Sequence, residues 1–335
     1  MKVLIVRLSA FGDIIHCLPA LDDLLNNPRI RELHWLIDER YGFVGEILPR
    51  RVTLHRVALK GAHPLRSAWH TIRQLRAIGF DAVLDLQGLM KSSLLARACG
   101  SPVYGFDKKY LREKFSVLLM QPVIFHAQEK HVTQQYRRIT AACSKRNEAS
   151  PFPYKAPKIE LKETHCLLDP QLLAKLGLEN KRYIVLHSAG GWETKQLPIA
   201  TWIKIATNLP SSAPTAVFTW GNDKERLQAE TLAAASDGFA LPERLNMSAL
   251  CTLLTGAYAA VGADTGLIHL AAALDTPTIT FWGPSASWRS APIGDKQWHI
   301  ESNPECGPCF HRTCKHFNCM DQIQPDAIVK VLHEL

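Results

Sequence analysis

Short apolar runs bounded by turn residues alternate along the chain with longer segments of helical period. The apolar runs predict buried parallel strands; they cover residues 2–8, 33–37, 51–58, 81–86 and a short edge strand at 103–106, then 183–187, 215–219, 259–263 and 278–281. The helical segments follow them at residues 14–21, 63–78, 89–98, 109–120 and 129–143, then 199–208, 223–235, 248–257 and 267–274. This alternation predicts an α/β protein with doubly wound parallel sheets.

The strand–helix pattern is interrupted once, at residues 148–160, which contain three prolines and no clear period. Such a segment is typical of a linker between domains. We therefore expect an N-terminal domain over residues 1–155 and a C-terminal domain over residues 156–335, whose final helix is able to pack back on the first. Two such sheets would present the carboxyl ends of their strands to an interdomain cleft.

Composition predicts a folded protein, with 47% hydrophobic and 21% charged residues. No apolar stretch is long enough to span a bilayer, and the first apolar run is too short for a signal peptide. We therefore expect a cytoplasmic protein that is at most peripheral to the inner face of the inner membrane.

Charge is divided unevenly between the two halves. Residues 1–160 contain 25 Lys and Arg against 14 Asp and Glu, a net charge of +11, whereas residues 161–335 contain 14 against 17, a net charge of −3. A basic first half predicts an anionic partner there, or else only a basic, soluble surface. The chain carries no nucleic-acid-binding motif, so nucleic acid is not the expected anion.

The turn Asp264-Thr265-Gly266 joins a buried strand to a helix that carries His269. The amides at a helix N-terminus favour an anion such as a diphosphate, and these residues would surround it. The alternative is structural: Asp264 or Thr265 caps the helix, and His269 is a core residue with satisfied hydrogen bonds.

Three further residues follow predicted strands of the second half. Lys195 follows paired glycines and would neutralise a phosphate as a point charge, or it is a solvated lysine of a surface loop. Glu225 opens a helix, where it would accept hydrogen bonds from a ribose or simply favour the helix dipole. Leu245 precedes another helix and would line a nucleotide base, unless it packs in the core.

In the first half, Asp13 follows the first strand at the end where ligands bind in open α/β sheets. A carboxylate there would act as general base on an acceptor hydroxyl, or it caps the next helix.

Cysteines cluster near the end of the chain. Their spacing is C-x2-C-x4-C-x4-C, formed by Cys306, Cys309, Cys314 and Cys319. Four nearby thiolates are a candidate structural site for Zn or Fe, with free thiols in a loop as the alternative.

Together these motifs resemble glycosyltransferase family 9, the ADP-heptose:lipopolysaccharide heptosyltransferases. The resemblance extends over the whole chain and is carried by residues 3–16 with 18–20, residues 85–92, Trp220-Gly221, and residues 264–270 and 282–284. Residues 87–92 and 111–113 are most similar to heptosyltransferase I, whereas residues 306–319 are more similar to other branches, including heptosyltransferase II.

The resemblance implies a GT-B fold, in which two Rossmann-like domains bind the acceptor and the nucleotide-sugar respectively. It implies inverting, metal-independent transfer of heptose from ADP-L-glycero-D-manno-heptose to the lipopolysaccharide inner core, with Kdo-lipid A or the first heptose as acceptor. No cofactor is required, and no catalytic metal is expected. The implied residue roles are as follows: Asp13 as base; Asp264, Thr265, Gly266 and His269 at the diphosphate and sugar; Lys195 on a phosphate; Glu225 on the ribose; Leu245 beside the adenine; Lys91 and Arg112 as acceptor-side cations.

Two other classes of function stay open. One is another nucleotide-sugar-dependent GT-B transferase or epimerase, and the other is a non-catalytic protein that binds a nucleotide or an anion. The presence of Asp13, Lys195 and Asp264 in one chain favours the enzyme.

Overall fold

A computed structural model describes residues 1–144, 149–316 and 318–335. The chain divides into two compact units, Met1–His165 and Cys166–Leu335. The first residue of the predicted linker, Glu148, lies outside the described residues. The predicted division of labour, with acceptor on the first domain and nucleotide-sugar on the second, stays a prediction at this stage.

The described part of the first unit contains one six-stranded sheet in the order β3-β2-β1-β4-β5-β6, and every pairing in it is parallel. The strands are Lys2–Val6 (β1), Glu32–Asp38 (β2), Val52–Val57 (β3), Ala82–Asp85 (β4), Val103–Phe106 (β5) and Gln121–Val123 (β6). Strands β2 and β3 are added on one side of β1, and strands β4, β5 and β6 are then added on its other side. The carboxyl ends of β1 and β4, where Val6 pairs with Asp85, therefore form the topological switch point.

Helices and short 3-10 segments connect these strands. The α-helices are Phe11–His16 (α1), Leu18–Leu25 (α2), Pro64–Ile78 (α3), Met90–Ala98 (α4) and Val132–Cys143 (α5), and the 3-10 helices are Glu39–Glu46, Lys108–Tyr110, Lys114–Leu119 and Leu161–Glu163. Part of the core lies between one sheet face and α3 and α4, where Leu4, Val83, Leu75 and Leu95 are buried together. Val3 and Ile5, which point to the opposite face, are also fully buried, so both faces of β1 are covered, as its continuous apolar run predicts.

The second unit repeats the same topology, with its described strands in the parallel order β12-β11-β10-β7-β8-β9. The strands are Tyr183–His187 (β7), Thr215–Phe218 (β8), Phe239–Ala240 (β9), Ala259–Ala263 (β10), Thr278–Trp282 (β11) and Gln297–Glu301 (β12). Its switch point lies between β7 and β10, where His187 pairs with Gly262. A side chain at Gly262 would collide with Ile268 and approach the His187 carbonyl, so glycine allows the following helix to pack closely there.

The α-helices of the second unit are Leu172–Lys175 (α6), Ile199–Ala206 (α7), Asp223–Ala235 (α8), Met247–Gly256 (α9), Gly266–Ala273 (α10), Ser287–Ser290 (α11), Asn318–Asp321 (α12) and Pro325–Glu334 (α13), with a 3-10 turn at Glu193–Lys195. The sequence predicts that the last helix is able to pack back on the N-terminal domain. The structure packs α13 against α7, with Ile328 and Leu332 inside the core of the second unit. None of the helices in the described ranges has the length and apolar character needed to cross a membrane.

The structure corrects several of the sequence-based elements. Residues 109–120, predicted as a helix, form two 3-10 helices, because Asp107 accepts the amide of Lys109 and Ser116 Oγ donates back to the Glu113 carbonyl at 2.7 Å. Strand β5 is not an edge strand, since the three-residue β6 pairs outside it. Strands β6, β9 and β12 were not predicted, because they are short or largely polar and lack an apolar run.

Candidate active site

The first switch point places an ion pair directly after β1. Helix α1 begins at Phe11, three residues earlier than predicted, and its third residue is Asp13. The Asp13 carboxylate lies 2.5 Å from Arg7 Nη2, and its side chain is 33% exposed, against 7% for Arg7. Its contact with the amide of Ala10 is long, at 3.5 Å, so Arg7 is its main partner and capping is secondary.

Arg7 is a functional candidate that the sequence analysis missed. Its guanidinium is buried and donates to the Leu86 carbonyl and, at 3.0 Å, to the Tyr136 hydroxyl. Burial disfavours the charged form, but the Asp13 carboxylate and Tyr136 outweigh it and raise the pKa of Arg7 above its usual value. Arg7 is therefore a permanent cation that pairs with the Asp13 carboxylate. The available signal was a charged residue directly after the apolar run of residues 3–6.

The turn after β4 supports this site from the neighbouring strand. Asp85 is fully buried and accepts hydrogen bonds from Ser93 Oγ at 2.6 Å and from the amides of Gln87 and Gly88 at 3.0 Å. Burial raises the pKa of Asp85, and these donors lower it in part. The Gln87 side chain then accepts the amide of Leu8 at 2.9 Å, which connects the two turns of the switch point.

The two predicted acceptor-side cations, Lys91 and Arg112, are both exposed. Lys91 lies in the first turn of α4, and Arg112 lies between the two 3-10 helices of residues 108–119. Burial raises the pKa of Asp38 at the end of β2, but Arg40 and, less strongly, Lys91 outweigh it and lower that pKa. Lys91 and Arg40 are therefore neighbouring cations at the carboxyl edge of this sheet, and Arg40 was not predicted.

The second switch point assembles three of the predicted donor-binding side chains. Lys195 Nζ donates to Asp264 Oδ2 at 2.6 Å and to the Asp264 carbonyl at 3.0 Å. The other carboxylate oxygen of Asp264 pairs with His269 Nε2 at 2.8 Å. The ammonium of Lys195 also lies 4.4 Å from the centre of the Trp192 ring, so the cation is held from two sides.

The charge state of this cluster follows from its contacts. Burial by itself raises the pKa of Asp264, but the hydrogen bond from His269 and the charge of Lys195 outweigh it, and the pKa lies well below its usual range. Asp264 is therefore a carboxylate whenever the protein is folded near neutral pH. It fixes Lys195 and His269 in place and does not cap the helix.

Thr265 and Gly266 form the start of α10. Thr265 is the N-cap residue in backbone conformation, yet its side chain accepts no amide of the helix. Its Oγ1 is buried and has no hydrogen-bond partner among the described residues. A buried hydroxyl without a partner beside helix amides is a feature that a bound anionic ligand would satisfy.

Glu225 and Leu245 lie at the same carboxyl edge of the sheet. Glu225 lies in the first turn of α8, after β8, and Leu245 lies just before α9. Glu225 Oε2 accepts the amide of Gly221 at 2.8 Å, and its own amide donates to Asn222, so the residue closes the turn at the start of α8. Leu245 is half-buried. These contacts leave their predicted roles at the ribose and the adenine as predictions.

The candidate metal set is not supported. In the parts of the chain that the structure describes, which omit Phe317, no three His, Cys, Asp or Glu side chains are arranged to hold a metal ion. Cys306 is exposed whereas Cys319 is buried, and burial raises the pKa of the Cys319 thiol. The arrangement of these side chains therefore does not support the predicted Zn or Fe at Cys306, Cys309, Cys314 and Cys319.

The two units thus carry parallel sheets of the same topology, each with a charged cluster at its switch point. The family model of glycosyltransferase family 9 (heptosyltransferase) matches residues 68–319, which is more than half of the chain. The protein therefore belongs to glycosyltransferase family 9, as the motifs of the sequence indicate.

The similar proteins include lipopolysaccharide heptosyltransferase 1 of Pseudomonas aeruginosa, which is 29% identical over 94% of this chain and 88% of the relative. Among solved structures, E. coli heptosyltransferase WaaC with ADP-2-deoxy-2-fluoro heptose matches with a TM-score of 0.77 and 26% identity, covering 100% of this chain and 99% of that one. E. coli heptosyltransferase II matches with the same TM-score of 0.77 at 16% identity, over 100% and 98% of the two chains; at this identity the match concerns the fold alone.

Proposed function

We propose that this protein transfers heptose, with inversion, from ADP-L-glycero-D-manno-heptose to the inner core of lipopolysaccharide. The observation that carries the proposal is the cluster Lys195–Asp264–His269 at the start of α10, beside the Thr265 hydroxyl, for which the described part of the chain provides no hydrogen-bond partner. This cluster is a preorganised site for a diphosphate. The relatives named heptosyltransferase 1, and the WaaC structure with an ADP-heptose analogue, support ADP-heptose as the donor.

On the donor side, the charge of the diphosphate is balanced by groups that are already in place. Lys195 supplies a fixed cation, and the amides and hydroxyl at Thr265 and Gly266 supply hydrogen-bond donors. Glu225 is assigned to the ribose and Leu245 to the adenine. Because fixed protein groups of this kind stabilise a leaving diphosphate, we propose that the transfer requires no metal.

On the acceptor side, we assign Asp13 as the general base. The acceptor hydroxyl oxygen forms a bond to the anomeric carbon while the bond from that carbon to the diphosphate breaks, and ADP leaves with the electron pair. Asp13 takes the proton of the attacking hydroxyl, and Arg7 keeps the carboxylate oriented through the 2.5 Å ion pair. Attack opposite the departing diphosphate gives inversion.

The acceptor itself is the finer part of the proposal. The first unit carries the chain's excess positive charge, and exposed Lys91, Arg40 and Arg112 suit an acceptor rich in carboxylates and phosphates. Since similar proteins carry the name heptosyltransferase 1, we propose the Kdo residue of Kdo-lipid A as the acceptor, ahead of the first heptose. The transfer of heptose would then take place at the inner face of the inner membrane.

The test is to incubate the protein with ADP-heptose and two acceptors, Kdo-lipid A and Kdo-lipid A that already carries one heptose, followed by mass analysis. We expect addition of one heptose to the first acceptor only. Transfer to the second acceptor alone would overturn the acceptor assignment. A parallel panel of ADP-, UDP- and GDP-sugars covers the other candidates: turnover of another sugar nucleotide would indicate a different transferase or an epimerase, and binding without turnover would indicate a non-catalytic protein.

A further inference from the structure

An exposed apolar patch with a basic border lies on the first unit, outside the candidate site at Asp13. We define it as the 108–124 surface, which comprises the 3-10 helices Lys108–Tyr110 and Lys114–Leu119, strand β6 and Ile124. Phe115, Leu118 and Ile124 are 78%, 80% and 77% exposed. Large apolar side chains grouped at such exposure indicate an interaction surface rather than ordinary scatter.

The segments of this surface are packed together. The two 3-10 helices contact each other, and the second contacts β6. The ring of Tyr110 lies 4.8 Å from that of buried Phe125, which fixes the first helix to the residues after β6. Lys114 Nζ donates to the carbonyls of Lys108 and Lys109 at 3.0 Å and 3.3 Å. These hydrogen bonds connect the second 3-10 helix to the first.

Cations outnumber acids on this surface. The two nearest acids both accept backbone amides: Asp107, directly before the segment, accepts the amide of Lys109 at 3.0 Å, and Glu113 accepts the amide of Met90 at 2.6 Å. Lys108, Lys109 and Arg112 remain exposed around the apolar side chains. The border therefore has an excess of positive charge, with these three exposed cations against the exposed carboxylate of Glu113.

We propose that the 108–124 surface docks the protein on an anionic lipid bilayer. Phe115, Leu118 and Ile124 would enter the boundary between headgroups and acyl chains, and the lysines would contact acidic headgroups. A second copy of the chain is a poorer occupant, because two such surfaces would bring like charges together. The inference extends the proposed function, since a lipid-borne acceptor would be presented in the same layer.

The binding test uses flotation of the full chain with vesicles, in the absence of donor and acceptor. We expect binding to vesicles of phosphatidylethanolamine and phosphatidylglycerol, and weak binding to phosphatidylcholine or at high salt. The double variant Phe115→Ser/Leu118→Ser should bind at least about tenfold more weakly, whereas Leu227→Ser, an exposed leucine of the second unit at 66%, should bind like the wild type. Because these side chains are exposed, circular dichroism should be unchanged.

A charge-reversed pair separates the electrostatic part. Lys108→Glu/Lys109→Glu should lose the preference for acidic vesicles, with about fivefold weaker binding for each lysine removed, while Lys224→Glu/Lys330→Glu on the second unit should retain it. Wild-type binding by the Phe115→Ser/Leu118→Ser variant would overturn the proposal. So would a dimer in solution that this variant dissociates while vesicle binding is unchanged.

Activity distinguishes docking from a role in the sugar site. The Phe115→Ser/Leu118→Ser variant should show a raised apparent KM for acceptor embedded in vesicles and unchanged kinetics with a lipid-free acceptor sugar. Equal loss with both acceptors would overturn the proposal, because the surface would then serve the sugar site. If the wild type binds vesicles but transfers no heptose, the proposed function fails and the docking surface stands.

Discussion

The two switch points of this protein share one sheet topology but differ in how far their carboxylates are exposed. At the first, the cation is the buried member of the pair: Arg7 is 7% exposed and Asp13 33%. At the second, the carboxylate of Asp264 is itself enclosed between Lys195 and His269, and both Lys195 and Asp264 are largely buried, at 10% and 16%. Under the proposed function, the first arrangement would present an acceptor for protons and the second would fix a cation for phosphate.

In that proposal, one fold would serve the two halves of a single reaction. In both units the sheet brings the ends of two central strands together, after β1 and β4 or after β7 and β10. The identity of the residues that follow those strands then sets the chemistry. These assignments would be wrong if Asp13 of the first unit serves donor binding, or if Lys195 of the second unit is dispensable for donor binding.

The largest expected effect is on turnover in the Asp13→Asn variant. An amide keeps the size of the side chain but accepts no proton, so we expect kcat to fall by roughly 10²–10⁴, with the circular dichroism spectrum retained. Steady-state kinetics with ADP-heptose and Kdo-lipid A measures this. The control is Glu39→Gln, an exposed carboxylate of the same unit, which should keep wild-type kcat. Near wild-type turnover by Asp13→Asn would remove Asp13 from the mechanism.

The Lys195→Met variant tests the second switch point. It removes the fixed cation, so kcat/KM for the donor should fall by about 10²-fold, the loss typical of one preorganised charge or donor. It also leaves the enclosed Asp264 carboxylate without its lysine partner, which should lower the free energy of unfolding by roughly 3 kcal/mol.

A double variant separates these two effects. Lys195→Met/Asp264→Asn removes both charges and should recover most of the stability in urea unfolding, while donor kcat/KM remains low. Recovery of activity together with stability would mean that Lys195 acts only through the fold.

The pair at the first switch point is tested at Arg7. Arg7→Met should lower kcat by about tenfold, since Asp13 loses the group that orients it, while KM for the donor stays within about twofold. Arg7→Lys keeps a cation in the same place and should recover much of kcat. A donor KM that rises as much as kcat falls would assign Arg7 to binding instead.

A smaller effect concerns the stability of the protein in acid. It arises at His187, the last residue of strand β7. Burial lowers the pKa of His187, at the end of β7, to about 4, whereas a histidine in the unfolded chain titrates near pH 6.5. Between these values the unfolded state binds the extra proton, so the free energy of unfolding falls as the pH is lowered.

The change at His187 should be visible in urea titrations at pH 7 and pH 5. Wild type should lose about 2 kcal/mol more than His187→Asn over this interval, because asparagine does not titrate. The contact of His187 with Thr219 Oγ1 at 2.8 Å gives Thr219→Val as a control that keeps the ionisable group. An equal loss in wild type and His187→Asn would show that other groups control acid stability.

Much of the scaffold could be predicted from the sequence, because the central strands are fully buried and therefore read as continuous apolar runs. The bounds of β7 and β10 agree with the prediction to the residue. Peripheral elements could not be predicted in the same way. Strand β6 contains Pro122 and is exposed over two of its three residues, so it carries neither the alternation nor the apolar run that marks a strand.

In the candidate sites, single residues could be predicted from the sequence but the contacts between them could not. Asp264 and Lys195 were predicted separately from local patterns, but their 2.6 Å contact joins residues 69 positions apart, which only the parallel pairing of β7 with β10 determines. Arg7 was missed because its function depends on burial and on Asp13, and neither is visible in the spacing. The four cysteines show the converse, since close spacing in sequence did not bring the side chains into a ligand set.

The measurement that tests the division of labour most directly is equilibrium binding of ADP-heptose to Asp13→Asn and Lys195→Met side by side, by calorimetry without acceptor. If the second unit holds the donor and the first supplies the base, Asp13→Asn should bind within about twofold of wild type, and Lys195→Met should bind at least about tenfold more weakly. Equal weakening in the two variants, or weakening in Asp13→Asn alone, would contradict it.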